Sequence, residues 1–182
     1  MMAGEFVKLL DDVWNGLRDD TDPRFDPPYS TVQANMISGG TATNILAREA
    51  LVTWEYRNLP HRDGLAIVET VKQRTAKELQ PKYARRAPDA GFETRLHAAY
   101  PGLVMDEDSP AIALARELTG TNRVEAVAYG TEGGHFQSYG IPAVICGPGS
   151  IDQAHKPDEY CELSEYAACE KFLRKVIAKA SA

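Results

Sequence analysis

The sequence lacks several features that define large classes of proteins. No apolar run approaches the roughly 18 residues that a membrane span needs. No basic N-terminal region precedes an apolar stretch, so we expect no secretory signal. Basic residues are not in excess, because 20 Lys and Arg stand against 26 Asp and Glu, and the net charge of −6 argues against a general nucleic-acid-binding protein. The 3 cysteines lack C-x-x-C spacing, so we expect reduced thiols in a cytoplasmic protein.

The residues that are present are typical of a globular protein. Of the 182 residues, 43% are hydrophobic and 25% are charged, which disfavours a disordered chain. The length suits one ordinary domain or two small ones with a real core.

Residues 1–102 show alternating helix and strand patterns. The predicted elements are a helix over 6–17, strands over 30–38 and 49–57, a helix over 65–79 and a strand over 92–98. Val32, Ala34 and Met36 are expected to share one face of their strand, and Arg57 to end the polar face of the next. Two helices on one face of an antiparallel sheet would bury the apolar side chains of these helices and strands, so we predict an α+β fold.

Residues 103–182 show the alternating order of strands and helices that is typical of α/β proteins. Ser109-Pro110 predicts a helix start and Gly120 its end. Beyond it we predict strands over 124–129 and 143–146, loops over 130–134 and 147–160, and a helix over 163–179. Such sheets bind ligands at the C-terminal ends of their strands.

His155 lies in the long polar loop after the second of these strands. A neutral imidazole there could ligate a metal, with Asp158 or Glu159 holding its second nitrogen. A solvated surface histidine is the alternative that spacing alone leaves open.

Side-chain chemistry indicates two further candidate sites. The backbone amides of 130–134 could hold an anion, with Thr131 as a donor and Glu132 as an acceptor, although an ordinary turn has the same composition. Arg57 offers a planar fork for a carboxylate, and Asn44 can donate to a carbonyl or an oxyanion. Each is also common as a structural residue.

Other motifs are weak. His61-Arg62-Asp63 could be a metal pair, but it lies in a loop between a strand and a helix, and no kinase motif accompanies it. His97 is expected to be solvated. There is no H-E-x-x-H, no zinc-like Cys/His spacing, no P-loop and no dinucleotide-binding fingerprint.

Three segments nevertheless resemble a known family. Gly39-Gly-Thr-Ala-Thr-Asn44 followed by Glu55-Tyr-Arg57 resembles the dimerisation (lid) domain of the zinc-dependent deacylase and carboxypeptidase-type metallohydrolases. Tyr129 to Phe136 and Gly147 to Tyr160 resemble the C-terminal part of that family's catalytic domain. The last of these, with Phe25-Asp-Pro-Pro-Tyr29, is most similar to the acetylornithine deacetylase branch.

The resemblance implies roles for individual residues. His155 matches the family's C-terminal metal-ligand histidine. The resemblance implies that the metal is zinc or cobalt, with two ions in the full-length enzyme. Asn44 and Arg57 match lid residues that contact the substrate carboxylate or the oxyanion, often in the partner subunit's site. Thr131, Gly147 and Gly149 match loops that line the substrate pocket.

The departures from the family pattern concern the metal site and the base. The family's H-x-D segment, bridging Asp and Glu-Glu pair, which supplies the general base, have no counterpart here, and neither has the Gly-His-Ser-Ser-type segment of the lid. The resemblance therefore implies a C-terminal half, which the opening Met1-Met2 also fits. Its parts are a ferredoxin-like lid domain lacking its first strand (1–102) and the end of the catalytic domain (103–182).

The function that the resemblance implies is metal-dependent hydrolysis of an N-acyl amino acid, N-acetylornithine first, as in arginine biosynthesis. We expect this chain alone to be inactive, with no catalytic residue of its own, and to form a homodimer through the lid. The alternatives are another hydrolase of the family, such as a succinyl-diaminopimelate desuccinylase or an aminoacylase, and a non-enzymatic dimerisation or binding module.

Overall fold

The fold combines helices with a small antiparallel sheet. In the computed structural model, which describes residues 1–154 and 156–181, the helices are α1 (Met2–Asn15), α2 (Gly64–Arg74), α3 (Gln80–Ala84), α4 (Pro110–Thr119), α5 (Gly133–Ser138) and α6 (Leu163–Ala180). The strands are β1 (Thr31–Gly39) and β2 (Ala50–Arg57), and Ile151–Gln153 forms a 3₁₀ turn. This confirms the α+β class, whereas the ferredoxin-like lid stays a prediction.

The chain divides into two compact units. Unit 1 comprises residues 1–102 and 125–132, and unit 2 comprises residues 103–124 and 133–182. The assignment of 1–102 to a lid domain and of 103–182 to a catalytic domain stays a prediction.

The core of unit 1 lies between its helices and one face of the sheet. Phe6, Leu10 and Val71 belong to the buried cluster. Val52, Trp54 and Tyr56 pack against it from alternate positions of β2, as their spacing predicts. Phe92 adds a tilted ring contact with Phe6, at a centroid distance of 6.0 Å.

One residue of β1 departs from the predicted alternation. Val32 and Ala34 oppose Tyr56 and Trp54, but the register shifts between Ala34 and Met36, so that Met36 opposes Thr53. Such a bulge adds one residue to a strand and reverses the face on which the subsequent side chains lie. Met36 is therefore 67% exposed rather than on the core face.

The helix after β2 is longer than predicted. Asp63 caps α2 by accepting a hydrogen bond from the Leu65 amide at 2.9 Å. A π-helical turn, Thr75–Leu79, then joins α2 to α3. Pro81 lies in the first turn of α3, where a missing N–H is tolerated, and residues 80–84 are thus helical instead of a connector.

Three predicted strands are wrong. Over the described residues, the segments 92–98, 124–129 and 143–146 have no strand assignment. Alternation or an apolar run predicts which side chains face inward, but a strand also needs a neighbour for its backbone N–H and C=O groups. These segments find no such neighbour in the part of the chain that the structure describes.

Unit 2 is held by contacts between α4 and α6. Ser109 caps α4 and Gly120 ends it with a φ of 77°, as predicted. Lys175 Nζ donates to the Leu118 carbonyl at 2.7 Å, which places a cation at the C-terminus of α4. Lys179 Nζ lies 2.5 Å from Glu117 Oε1. None of the described helices is long and apolar enough to cross a membrane.

Candidate functional site

Arg57 is the predicted site residue with the best-defined surroundings. It ends β2 on the face of the sheet that points away from the core, and its side chain is 56% exposed. Its Nε donates to Glu55 Oε1 at 3.2 Å, and its Nη1 donates to the Ala128 carbonyl at 3.2 Å. Two bonds to different segments hold the guanidinium at the end of the strand.

Sequence reasoning missed the partners of Arg57. Glu55 Oε1 accepts a second hydrogen bond, from Gln33 Nε2 at 2.8 Å, and Gln33 lies directly opposite Glu55 in the sheet. The alternation of Thr53, Glu55 and Arg57 on one face was the available signal for Glu55, whereas Gln33 depended on the register. The polar cluster of Gln33, Glu55 and Arg57 is therefore a product of strand pairing.

Thr131 lies close in sequence to the segment that Arg57 contacts. Residues 125–132 belong to unit 1, and the Ala128 carbonyl in this segment accepts the Arg57 hydrogen bond. Thr131 is half-buried and engaged in an interaction. The structure thus brings the Thr131 segment to Arg57.

Asn44 is not brought to Arg57. It lies, exposed, in the loop 40–49 that joins the two strands. Arg57 pairs with Thr31 at one end of the sheet, whereas Ala50 pairs with Gly39 at the other. At about 3.3 Å per residue, the length of β2 separates Ala50, where this loop joins the strand, from Arg57 by roughly 23 Å.

Gly147 and Gly149 belong to unit 2. Gly147 is exposed, and Gly149 has a φ of 88°, which favours glycine, with Cys161 Sγ close to where a Cβ would lie. His155, the predicted metal ligand, lies outside the described residues.

The His61-Arg62-Asp63 segment has a structural role. His61 Nε2 lies 3.0 Å from Asp20 Oδ1, and Arg62 Nε donates to Asp20 Oδ2 at 2.9 Å. These hydrogen bonds hold the pKa of the Asp20 carboxyl below its ordinary value. The segment ties the loop after α1 to the loop before α2, while Asp63 caps α2.

The described residues do not fit a metal ion by themselves. Across 1–154 and 156–181, no three His, Cys, Asp or Glu side chains form a group that could hold one. Structural zinc sites use four protein ligands and catalytic sites three. Arg57 presents an exposed guanidinium, a planar group whose N–H donors match the geometry of a carboxylate.

Comparison with known proteins identifies a family for the chain. The model of Peptidase family M20/M25/M40 matches residues 17–179. The acetylornithine deacetylase of Myxococcus xanthus is 29% identical over an alignment of 184 positions, which covers 97% of this chain and 45% of the relative. The acetylornithine deacetylase of Aliivibrio fischeri (strain ATCC 700601 / ES114) is 33% identical over 159 residues, which are 86% of this chain and 40% of the relative.

The chain thus spans less than half the length of these curated relatives. The family match nevertheless covers most of the chain, including α2, α4, both strands and all of α6 except its last residue. The chain belongs to Peptidase family M20/M25/M40.

Proposed function

We propose that the chain supplies the substrate-carboxylate site of a hydrolase that removes the acyl group from an N-acyl amino acid, N-acetylornithine first. The observation that carries this proposal is the geometry of Arg57, exposed at the end of β2 and held by Glu55 and the Ala128 carbonyl. Family membership and relatives named acetylornithine deacetylase support the reaction class.

Arg57 retains donors for a substrate. A guanidinium carries five N–H groups, and the two bonds described above use Nε and one hydrogen of Nη1. Among the described residues, nothing accepts a hydrogen bond from Nη2. A substrate carboxylate would therefore bind along the Nη1–Nη2 edge, where two parallel N–H···O bonds match its geometry.

Asn44 is proposed to act in the partner subunit's site of a homodimer. An acylated amino acid is on the order of 10 Å long, judged from ordinary bond lengths. The loop that carries Asn44 begins roughly 23 Å from Arg57 along the strand. One substrate spanning both residues of a single chain is disfavoured, whereas two chains could present one residue each.

A homodimer through unit 1 has support in exposed apolar residues at one end of the sheet. Met36, Ile37 and Leu51 are 67%, 59% and 64% exposed there. The same residues favour a dimerisation module as the second candidate function. Light scattering at high protein concentration tests the dimer, and a stable monomer contradicts it.

We also propose that the hydrolase binds two metal ions, zinc or cobalt. His155 is one metal ligand, and the other ligands come from polypeptide outside this chain. The chain alone is then inactive. The test is hydrolysis of N-acetylornithine by the pure chain with zinc or cobalt added, beside His155→Ala. A rate that His155→Ala abolishes would overturn the proposed inactivity.

The experiment that tests carboxylate binding is an NMR titration that monitors the Arg57 Nε–H signal. N-acetylornithine is compared with N-acetylputrescine, which is the same amide without the α-carboxylate. We expect the first to shift the signal and the second to leave it in place. N-succinyl-diaminopimelate and N-acetylmethionine, titrated in parallel, rank the alternative hydrolases.

Variants give the control for this titration. Backbone signals near Arg57 should lose their response in Arg57→Ala and keep only part of it in Arg57→Lys, because an ammonium cannot form the bidentate pair. Arg95→Ala is the matched control, since Arg95 is an exposed arginine of unit 1 that also bonds a glutamate two residues earlier. An unchanged response in Arg57→Ala would refute the proposed site.

In line with its free cysteines, we also propose a cytoplasmic location. Cys146, Cys161 and Cys169 are free thiols in the structure, and reducing compartments keep thiols unpaired.

A further inference from the structure

The basic residues of the chain are concentrated in one short segment of unit 1. Residues 72–86 comprise the end of α2, the π-helical turn and α3 with the turn that follows it. They carry 6 of the 20 Lys and Arg but only 1 of the 26 Asp and Glu. The other residues carry 14 basic against 25 acidic side chains, a net charge of −11. The proposed function does not use this local excess of positive charge.

The buried residues of the segment define which side of it faces the core. Val71, Thr75 and Leu79 are 0%, 4% and 4% exposed and follow one another at intervals of four, so they form one row along the helix. Lys77 lies midway between Thr75 and Leu79, and Arg85, which ends α3, follows about two turns later. Two positions correspond to more than half a turn, so these two cations lie on the side away from the core, where both are exposed.

Two other cations of the segment are neutralised on the flank beside α1. Arg74 Nε donates to Glu78 Oε1 at 2.7 Å, and Arg74 Nη2 lies 4.0 Å from Asp12 Oδ2. Lys82 Nζ donates to Glu5 Oε2 at 3.0 Å. Because Glu5 and Asp12 belong to α1, these ion pairs join the two helices, and Arg74 and Lys82 have a structural role.

Lys72, Lys77, Arg85 and Arg86 form the basic cluster that remains. All four are exposed, and none has an ion pair within the part of the chain that the structure describes. The helix dipole favours cations close to the C-terminus of a helix, which accounts for Arg85 and Arg86 but not for Lys72 and Lys77, more than one turn earlier. Unpaired like charges on one element repel each other, and a bound anion would remove this repulsion.

The size of the basic cluster limits which anionic partner fits it. At about 1.5 Å per residue, the segment 72–86 is roughly 22 Å long, and an extended peptide of about seven residues spans this length at 3.3 Å per residue. A nucleic-acid duplex or a membrane is much larger. Either would bring its negative charge towards the acidic remainder of the chain, and charges within the screening length of about 8 Å repel. The charge distribution therefore favours a short anionic partner.

The side chains between the cations support the same choice. Ala76, Pro81 and Ala84 are exposed and small, so this surface offers no large apolar side chain that could enter a lipid bilayer. Tyr83 is half-buried with its hydroxyl inside the protein, so its ring is not a platform on which the bases of single-stranded RNA or DNA could stack. A partner can be held here only by its charge and hydrogen bonds.

We infer that the basic cluster is a docking site for an acidic peptide segment, a run of Asp and Glu about seven residues long in a partner polypeptide. Alternate carboxylates of an extended peptide lie about 6.6 Å apart along one side, so several can meet cations spread along the helix. Arg85 and Arg86 can each bind a carboxylate through two parallel N–H···O bonds, and Lys72 and Lys77 supply point charges. The inference uses no residue of the proposed carboxylate site and does not depend on the proposed function.

Fluorescence anisotropy with a labelled peptide tests the inference. The probe is Asp-Glu-Asp-Glu-Asp-Glu-Asp, and the control is the neutral peptide Asn-Gln-Asn-Gln-Asn-Gln-Asn with the same label. We expect the acidic peptide to bind at low ionic strength and its Kd to rise at least about fivefold at 0.15 M salt, because the cluster is exposed to solvent. The neutral peptide should not bind.

Two pairs of variants locate the contact. Lys77→Glu with Arg85→Glu reverses two charges of the cluster, whereas Arg48→Glu with Lys171→Glu gives the same net charge by reversing two other exposed cations without an ion pair among the described residues. The first pair should weaken peptide binding at least about tenfold, since two attractive contacts become repulsive, and the second should stay within about twofold of the unmodified chain. Lys77→Gln with Arg85→Gln, which removes the attraction without repulsion, should lie between them.

Several results overturn the inference. They are no binding of the acidic peptide at about 1 mM, and equal weakening by the two charge-reversed pairs, which would attribute binding to net charge alone. Tighter binding of a single-stranded oligoribonucleotide or of anionic lipid vesicles would assign the cluster to another class of partner. Self-association that Lys77→Glu with Arg85→Glu abolishes, measured by light scattering, would assign it to a second copy. Circular dichroism verifies that each variant is folded, and salt-dependent peptide binding that only the cluster variants weaken supports the inference.

Discussion

Glu55 holds Arg57 by a hydrogen bond from Nε to Oε1 of 3.2 Å across one face of β2. The carboxylate orients the guanidinium, but it also places a negative charge where a substrate carboxylate is proposed to bind. Glu55 is therefore expected to improve the position of Arg57 and to weaken its affinity for an anion.

Glu55→Gln separates these two effects, because the amide oxygen still accepts the hydrogen bond while the charge is removed. We expect the Kd for N-acetylornithine to fall about two- to fivefold, since an exposed ion pair contributes at most about 1 kcal/mol. The measurement is the NMR titration of the chain. Glu93→Gln is the control, because Glu93 accepts from Arg95 Nε at 2.7 Å in the same relative positions, and an equal change in both variants would contradict the effect.

Leu10 tests the core of unit 1. It is 1% exposed, so Leu10→Ala should lower the free energy of unfolding by about 2–5 kcal/mol. Leu46 is 97% exposed, and Leu46→Ala should change the free energy of unfolding by less than about 0.5 kcal/mol. Urea unfolding monitored by tryptophan fluorescence reports on unit 1, because Trp14 and Trp54, the 2 tryptophans of the chain, both lie there. Equal losses in the two variants would contradict this core.

Local patterns predicted the elements whose stabilisation is local. The amphipathic spacing around Leu10, the capping at Ser109 and the alternation of Trp54 and Tyr56 each correspond to an element in the structure. Helix hydrogen bonds and caps join residues close in sequence, so a single sequence carries their signal.

Pairing between distant residues was not predictable in the same way. The bulge that moves Met36 to the polar face depends on the register with β2, and the unpaired segment 143–146 depends on a neighbour that the described chain does not supply. The candidate site obeys the same rule: Arg57 could be singled out by chemistry, but its contacts with Glu55 and Ala128 come from tertiary structure.

Asp22 gives unit 1 a dependence on pH. Arg24 donates to its carboxylate from the side chain and from the backbone N–H, and these bonds lower the Asp22 pKa to about 2. Because the folded state favours the charged form, this stabilisation is complete above the ordinary pKa and disappears as the pH falls towards 2.

Asp22→Asn should therefore lower the urea midpoint of unit 1 at pH 6, and the difference from the unmodified chain should shrink as the pH is lowered from about 4 to about 2. Tryptophan fluorescence at a series of pH values gives the measurement. Asp19→Asn provides the control, since Asp19 is exposed and has no ion pair among the described residues. A difference that is constant with pH would exclude the carboxylate as its cause.

Gly64 lies at the start of α2, where the helix approaches the end of β2. A Cβ at this position would overlap the Tyr56 ring and lie 2.6 Å from Asn58 Oδ1. Asn58 cannot move freely, because its Nδ2 donates to the Leu59 carbonyl at 3.1 Å and to the Arg62 carbonyl at 2.8 Å. Gly64→Ala should therefore destabilise unit 1 by about 1–3 kcal/mol through overpacking, measured by the same urea unfolding.

Gly4 provides a control of opposite sign for the same substitution. It lies inside α1 with nothing within 4 Å of an added Cβ, so Gly4→Ala should stabilise unit 1 by about 0.5–1 kcal/mol through helix propensity. Opposite shifts in the two variants would establish that contact with Tyr56 and Asn58, rather than backbone entropy, requires glycine at position 64. If both variants stabilise the unit, the close approach of α2 to β2 is wrong.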